Sequence, residues 1–277
     1  MENKSYFYLE MKTHEVMVPY TGKKRRVRVL LPKGYEENTN EHYPVVYMHD
    51  GQNVFYSGES FSGHSWKVIP AIKRNPDLPK MIIVGIDNDE ANRMNEYAPW
   101  KFTNVPVLSF GFSLGGHGAS YAEFVMDVLK PFIDKEYRTK SDKKHTAMIG
   151  SSLGANISQY IGLAYKDKIG ALGVFSSANW LNLEQFNRYI AKHKLDESQR
   201  VYIEVGTQEG DDTDQGLTYG NIKQSYISTT LSYYTQLIDC GMPTKNISLN
   251  VIAEGTHSEE CWAKYLPDCL RFISEEW

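Results

Sequence analysis

The sequence predicts an α/β fold: a mostly parallel central sheet with an N-terminal antiparallel hairpin and helices on both faces. Three observations predict it. Short apolar runs recur at helix-length spacing, at 44–49, 81–86, 146–149, 170–175, 201–205 and 247–252. Strands that are apolar throughout and separated by helices pair in parallel and are covered on both sides. The run Arg25-Arg26-Val27-Arg28-Val29 instead alternates, as a half-solvated edge strand does. Finally, Thr146-Ala147-Met148-Ile149 runs through Gly150-Ser151-Ser152-Leu153-Gly154 into a helical period of Ile157, Tyr160, Ile161 and Ala164. That is a strand, a sharp turn and a helix.

Taken in order, residues 16–20 and 25–31 form a hairpin around Thr21-Gly22-Lys23-Lys24, with the basic side chains on its wet face. The strand at 44–49 stops at Asp50-Gly51-Gln52-Asn53, and a helix covers 66–74. After the strand at 81–86 comes a long irregular stretch, 87–118, of a length usually reserved for a lid or binding loop. Apolar residues from Tyr121 to Phe132 keep a helical period to about Tyr137. Beyond the sharp turn, strands at 170–175, 201–205 and 247–252 alternate with helices at 183–193 and 222–240, and a helix at 262–272 closes the chain. No repeat or linker divides residues 1–277, so one domain with an insertion at about 87–118 is expected.

Composition narrows the partners. The chain is 41% hydrophobic and 23% charged, an ordinary globular balance. A net charge of -4 gives no reason to expect nucleic acid or an anionic membrane. No apolar run approaches the roughly 20 residues that span a bilayer, and the first residues lack the apolar core of a signal peptide. Three cysteines without metal-ligand spacing point to a reducing, cytoplasmic address.

A Gly-x-Ser-x-Gly pentapeptide occurs twice, around Ser113 and around Ser152. With Ser152 at the turn, a helix separates its strand from the one before, and three strands follow. Two of those end near a carboxylate and a histidine, the order Ser…Asp/Glu…His of α/β-hydrolases. With Ser113 the crossover helix is lost, and Pro106 interrupts the entering strand. Ser152 is therefore the expected nucleophile.

A serine hydroxyl needs a base, and His257 follows the last strand in a Gly255-Thr256-His257 turn. The base needs an acid to fix its tautomer. Glu209, past the strand ending at Val205, is the first candidate, with Asp211 and Asp212 as close rivals and Asp214 as a distant one. An oxyanion requires preorganised N–H donors. The amide of Leu153 and, after the 44–49 strand, that of Gln52 are the candidates.

Beside these residues the sequence resembles the putative-esterase family, the esterase D-like branch of the α/β-hydrolases. The resemblance is carried by His49-Asp50-Gly51-Gln52-Asn53-Val54-Phe55, Gly85-Ile86-Asp87-Asn88, Arg93-Met94-Asn95-Glu96-Tyr97-Ala98-Pro99-Trp100, Gly150-Ser151-Ser152-Leu153-Gly154 and Gly206-Thr207-Gln208-Glu209. Feruloyl and acetylxylan esterases, trilactone siderophore esterases and mycolyltransferases belong to this branch. The resemblance implies Ser152, Glu209 and His257 as the triad, no cofactor and no metal. It also implies that 87–118 frames the substrate cleft, with Trp100 as a wall. Ala155 departs from the second glycine that many members carry after the turn, and the oxyanion loop differs from that of the thiol-ester hydrolases.

The expected activity is that of a serine carboxylesterase on a small or short-chain acyl ester. A trilactone siderophore, a feruloyl or acetyl-sugar ester, and transfer to an alcohol instead of water are the variants. A non-catalytic carbohydrate-binding protein on the same fold is the reading from another class. Trp100, Trp180 and Asp50 are the expected substrate-binding residues.

Overall fold

The computed structural model describes residues 10–102, 113–210 and 215–277. Eight strands form one sheet in the order β1-β2-β4-β3-β5-β6-β7-β8. The strands are β1 (Met11–Val18), β2 (Lys23–Leu30), β3 (Val45–Met48), β4 (Ile82–Ile86), β5 (Thr146–Ser151), β6 (Ala171–Phe175), β7 (Arg200–Gln208) and β8 (Ile247–Thr256). β1 and β2 pair antiparallel, as does β2 with β4, and every later pair is parallel. The chain thus has the α/β-hydrolase fold, with the predicted hairpin at one edge.

The helices are α1 (Val68–Arg74), α2 (Arg93–Glu96), α3 (Gly118–Glu123), α4 (Lys130–Glu136), α5 (Leu153–Ala164), α6 (Leu183–Lys192), α7 (Ile222–Asp239) and α8 (Glu259–Ser274). α3 passes into α4 through a π-helical turn, Phe124–Leu129. Alternate strand residues feed two cores. Val45, Tyr47, Met148, Leu172 and Ile203 pack with residues of α3 to α7, such as Phe124, Ile157, Phe186 and Tyr233. Val46, Met48, Ile149, Phe175 and Tyr202 face α1 and α8 through Ala71, Trp262, Leu266 and Leu270. No helix among the described residues is long and apolar enough to cross a membrane.

Three of the differences from the sequence reading have a clear physical reason. The helix expected from residue 66 starts at Val68, because Lys67 adopts a left-handed conformation (φ 50°). Trp66 is then free to pack, nearly fully buried, on Phe175 and Trp262. The last strand runs on to Thr256 instead of turning at Gly255. β8 is an edge strand, so polar Asn250 and Glu254 fit its solvated side and hide its length. The π-helical turn leaves the apolar period nearly intact, and the sequence reading shows only one helix there.

Candidate active site

Ser152 stands between β5 and α5 with φ 56° and ψ −127°, a backbone conformation that costs a non-glycine residue of order 1–3 kcal/mol. The neighbours hold it there. Its N–H donates to the Phe175 carbonyl at 3.0 Å, and its own carbonyl accepts from Ala155 N–H at 3.0 Å. Gly150 is required by close approach: a Cβ there would lie 2.3 Å from the Gly154 carbonyl oxygen. At Gly154 the fit is tight rather than forbidden, with a Cβ 3.3 Å from Asp50 Oδ2 and 3.4 Å from His49 Cβ. The 50–53 turn therefore packs directly on the first turn of α5.

Ser113 is exposed and precedes an isolated antiparallel bridge between Lys101 and Gly115. Neither a strand end nor a helix start adjoins it among the described residues.

β7 and β8 bring the acid and the histidine together. Their ladder extends, through an irregularity after Gly206, to the pair Gln208 and Thr256. Glu209 and His257 are the next residue of each strand, and Glu209 Oε2 lies 2.6 Å from His257 Nδ1. Gly206 permits this closure, since a Cβ on it would sit 2.1 Å from the Gly255 carbonyl oxygen. Glu209 is completely buried, and its other oxygen, Oε1, accepts from Gly206 N–H at 2.6 Å and from the Ser176 hydroxyl at 2.5 Å. These donors satisfy the oxygen that burial takes away from water. With Nδ1 engaged, Nε2 is the nitrogen left for chemistry. Tyr226 and Trp262 hold the imidazole plane, with ring centroids 4.6 and 5.0 Å away. Directly after His257, Ser258 caps α8 by accepting from Cys261 N–H. Asp211, Asp212 and Asp214 lie outside the described residues.

Ser152 and Leu153 line a cavity of about 160 Å³ with Arg93, Met94, Ala178, Trp180, Leu181, Leu217 and Tyr226. Tyr226 is therefore shared: it walls the cavity of Ser152 and packs on the ring of His257. Trp180 stands edge-on to Tyr226 with centroids 5.6 Å apart. Trp100 is elsewhere, in an aromatic cluster with Tyr160, Phe186 and Tyr189. Asp50 does not line this cavity either. Its carboxylate takes two hydrogen bonds from Arg93, at 2.7 and 2.8 Å, and one from Asn88 at 2.5 Å. Burial opposes ionisation of Asp50, but the Arg93 guanidinium outweighs it and holds the carboxyl below its usual range. The sequence shows Arg93 only within the run 93–100; its pairing with Asp50, 43 positions away, has no local pattern to mark it.

The Gln52 side chain accepts from Asn88 N–H at 3.0 Å and lines a separate, open, polar depression with Arg26, Glu59 and Asp87. Gly51 is pressed against the strand beside it, where a Cβ would lie 2.7 Å from Asp87 N. Among the described residues no group of His, Cys, Asp and Glu is placed to hold a metal.

Among known proteins, the chain is 24% identical over 249 residues to the uncharacterized protein YbbA of Bacillus subtilis (strain 168), covering 90% of this chain and 92% of that one. Two of the many solved structures that share the fold are similar over most of this chain. One is a ferulic acid esterase (19% identity, TM-score 0.72), covering 98% of this chain and all of that one. The other is an IroE-like serine hydrolase from Shewanella oneidensis (19% identity, TM-score 0.75), covering 96% and 80%. The model of the family described as Putative esterase matches residues 19–273; the chain belongs to that family and is a carboxylic-ester hydrolase.

Proposed function

We propose that the chain hydrolyses small or short-chain acyl esters through Ser152, His257 and Glu209. The observation that carries this reading is the 2.6 Å contact of Glu209 with His257, beside a cavity whose wall includes both Ser152 and the tyrosine packed on that histidine.

His257 Nε2 takes the proton of Ser152 as Oγ attacks the ester carbonyl. Negative charge moves to the carbonyl oxygen, and the amides of Leu153 and Gln52 donate to it. The imidazolium then gives its proton to the leaving alcohol, and the acyl group stays on Ser152. Water enters, loses a proton to Nε2 and releases the acid. Glu209 keeps Nδ1 protonated and stabilises the imidazolium throughout.

Cavity size argues for a small acyl group. About 160 Å³ is well below the roughly 300–1,000 Å³ of common ligand pockets. Met94, Leu181 and Leu217 make its lining apolar. A phenolic acyl group is the second reading, favoured by the rings of Trp180 and Tyr226 in the wall. The free thiols Cys240, Cys261 and Cys269 accord with a reducing compartment.

Fluorophosphonate labelling tests the nucleophile. Wild type and Ser113→Ala should label equally fast, and Ser152→Ala should not label. A p-nitrophenyl ester series from acetate to decanoate, with feruloyl esters alongside, sizes the acyl group. Equal rates for all chain lengths would rule out the small-cavity reading.

A further inference from the structure

Beneath the imidazole, three buried side chains form a chain of donors ending on the acid. Trp262 Nε1–H donates to Ser176 Oγ at 2.9 Å, and the Ser176 hydroxyl donates to Glu209 Oε1 at 2.5 Å. Ser176 is 1% exposed and Trp262 4% exposed, so bulk water cannot substitute for either bond. The indole fixes the direction of the hydroxyl proton: Oγ already accepts from Nε1, and its own hydrogen is left to point at the carboxylate.

The backbone at Ser176 is unusual as well. It lies directly after β6, has φ 47°, and ties to β7 through its N–H, which donates to the Glu204 carbonyl at 2.8 Å. A left-handed conformation favours glycine, yet the residue here carries a hydroxyl whose partner is the charged group beside His257. A turn that needed only backbone freedom would gain nothing from that side chain. Trp262 also sets its ring edge-on to His257, 5.0 Å away, and so meets the imidazole directly and the acid through Ser176.

We infer that Ser176, oriented by Trp262, is a positioning residue. It fixes the Glu209 carboxylate so that Oε2 stays on His257 Nδ1 while positive charge develops on the ring. The inference rests on the proposed triad. Ser177, its neighbour, has no such role: its buried hydroxyl makes no hydrogen bond among the described residues.

The test is a set of variants assayed with p-nitrophenyl acetate. In Ser176→Ala, kcat should fall about tenfold to a hundredfold with KM nearly unchanged, as expected for losing one hydrogen bond to a charged group. Trp262→Phe keeps a ring but removes the indole donor, and its kcat should fall less. Ser176→Gly relaxes the backbone, so it should fold at least as well as Ser176→Ala and be about as slow. A wild-type rate in Ser176→Gly would show that only the backbone matters and would overturn the inference.

In a Glu209→Ala background, adding Ser176→Ala should change kcat by less than about twofold, because the hydroxyl acts through the missing acid. A full additional loss would overturn the inference. Proton NMR supplies a readout besides rate. The deshielded Nδ1–H signal of His257 should shift in Ser176→Ala and stay in place in Ser113→Ala; an unmoved signal counts against positioning. A wild-type rate in Glu209→Ala would instead overturn the triad reading itself, and the positioning role with it.

Discussion

Gln208 and Thr256 close the ladder between the last two strands, and the residues that follow them, Glu209 and His257, face each other 2.6 Å apart. Two parallel strands whose ends pair again past an irregularity thus assemble an acid–base pair from positions 48 apart. No loop has to fold back to make it. The precision of the pair is therefore inherited from backbone pairing, and it should survive changes in the neighbouring loops.

Glu209→Gln should leave the strands and the close approach intact while removing the charge that stabilises the imidazolium. Loss of charge at this position in a triad costs about 10⁴ in kcat. We expect a drop of that order with circular dichroism and thermal midpoint close to wild type. Asp212→Asn, measured in parallel, should stay within about twofold; a larger loss there would move the acid role to Asp212.

The two candidate tryptophans separate on the same grounds. Trp180→Ala opens the wall of the Ser152 cavity, so the preferred p-nitrophenyl ester should move to a longer acyl chain. Trp100 packs with Tyr160, Phe186 and Tyr189. Trp100→Ala should lower stability by about 3 kcal/mol, as large aromatic truncations do, without changing the chain-length optimum. Urea unfolding and the ester series together check both statements.

How much of this was legible in the sequence follows from how far each signal travels. Apolar runs announce buried parallel strands locally, and Gly150 announces an approach that its own neighbours cause. The chain order of Ser152, Glu209 and His257 could be read because parallel strands deliver their ends to one edge of the sheet. Arg93, Ser176 and Tyr226 could not be placed in the same way. Each gains its position from a partner on another element: Asp50, Glu209 and His257 respectively. Ser176 did carry a faint signal, a polar residue at the C-terminal end of an apolar strand. An aromatic side chain carries none, which is why Trp100 and Trp180 read alike until their surroundings were known.

Asp50→Asn should destabilise the site from beneath. Arg93 is only partly exposed and spends two donors on this carboxylate. Removing the negative partner leaves a largely desolvated guanidinium, and breaking such a buried pair costs about 3–5 kcal/mol. The thermal midpoint should fall by several degrees. Because Arg93 lines the Ser152 cavity, KM should rise as well. A variant as stable as wild type would mean that the pair contributes little.

Glu204 offers the clearest dependence on pH. It is 1% exposed on β7, with the Tyr202 hydroxyl 3.3 Å from its carboxylate. Burial pushes its pKa up from 4.5 to about 8, the charges of Glu209 and Asp268 add to the rise, and the bond from Tyr202 opposes it. In the unfolded chain the carboxyl titrates near its ordinary value. Below that value both states are protonated and folding costs nothing at this position. Between the ordinary value and about 8 the unfolded chain gives up a proton that the folded one keeps, so stability falls as pH rises. Above about 8 the whole penalty is present, of order 3–5 kcal/mol. Glu204→Gln removes the titration and keeps an acceptor for Tyr202. Its advantage over wild type in urea unfolding should be near zero at acid pH and grow steadily toward pH about 8. Two unfolding curves that keep a constant separation over that range would mean that Glu204 is ionised in the folded protein at neutral pH.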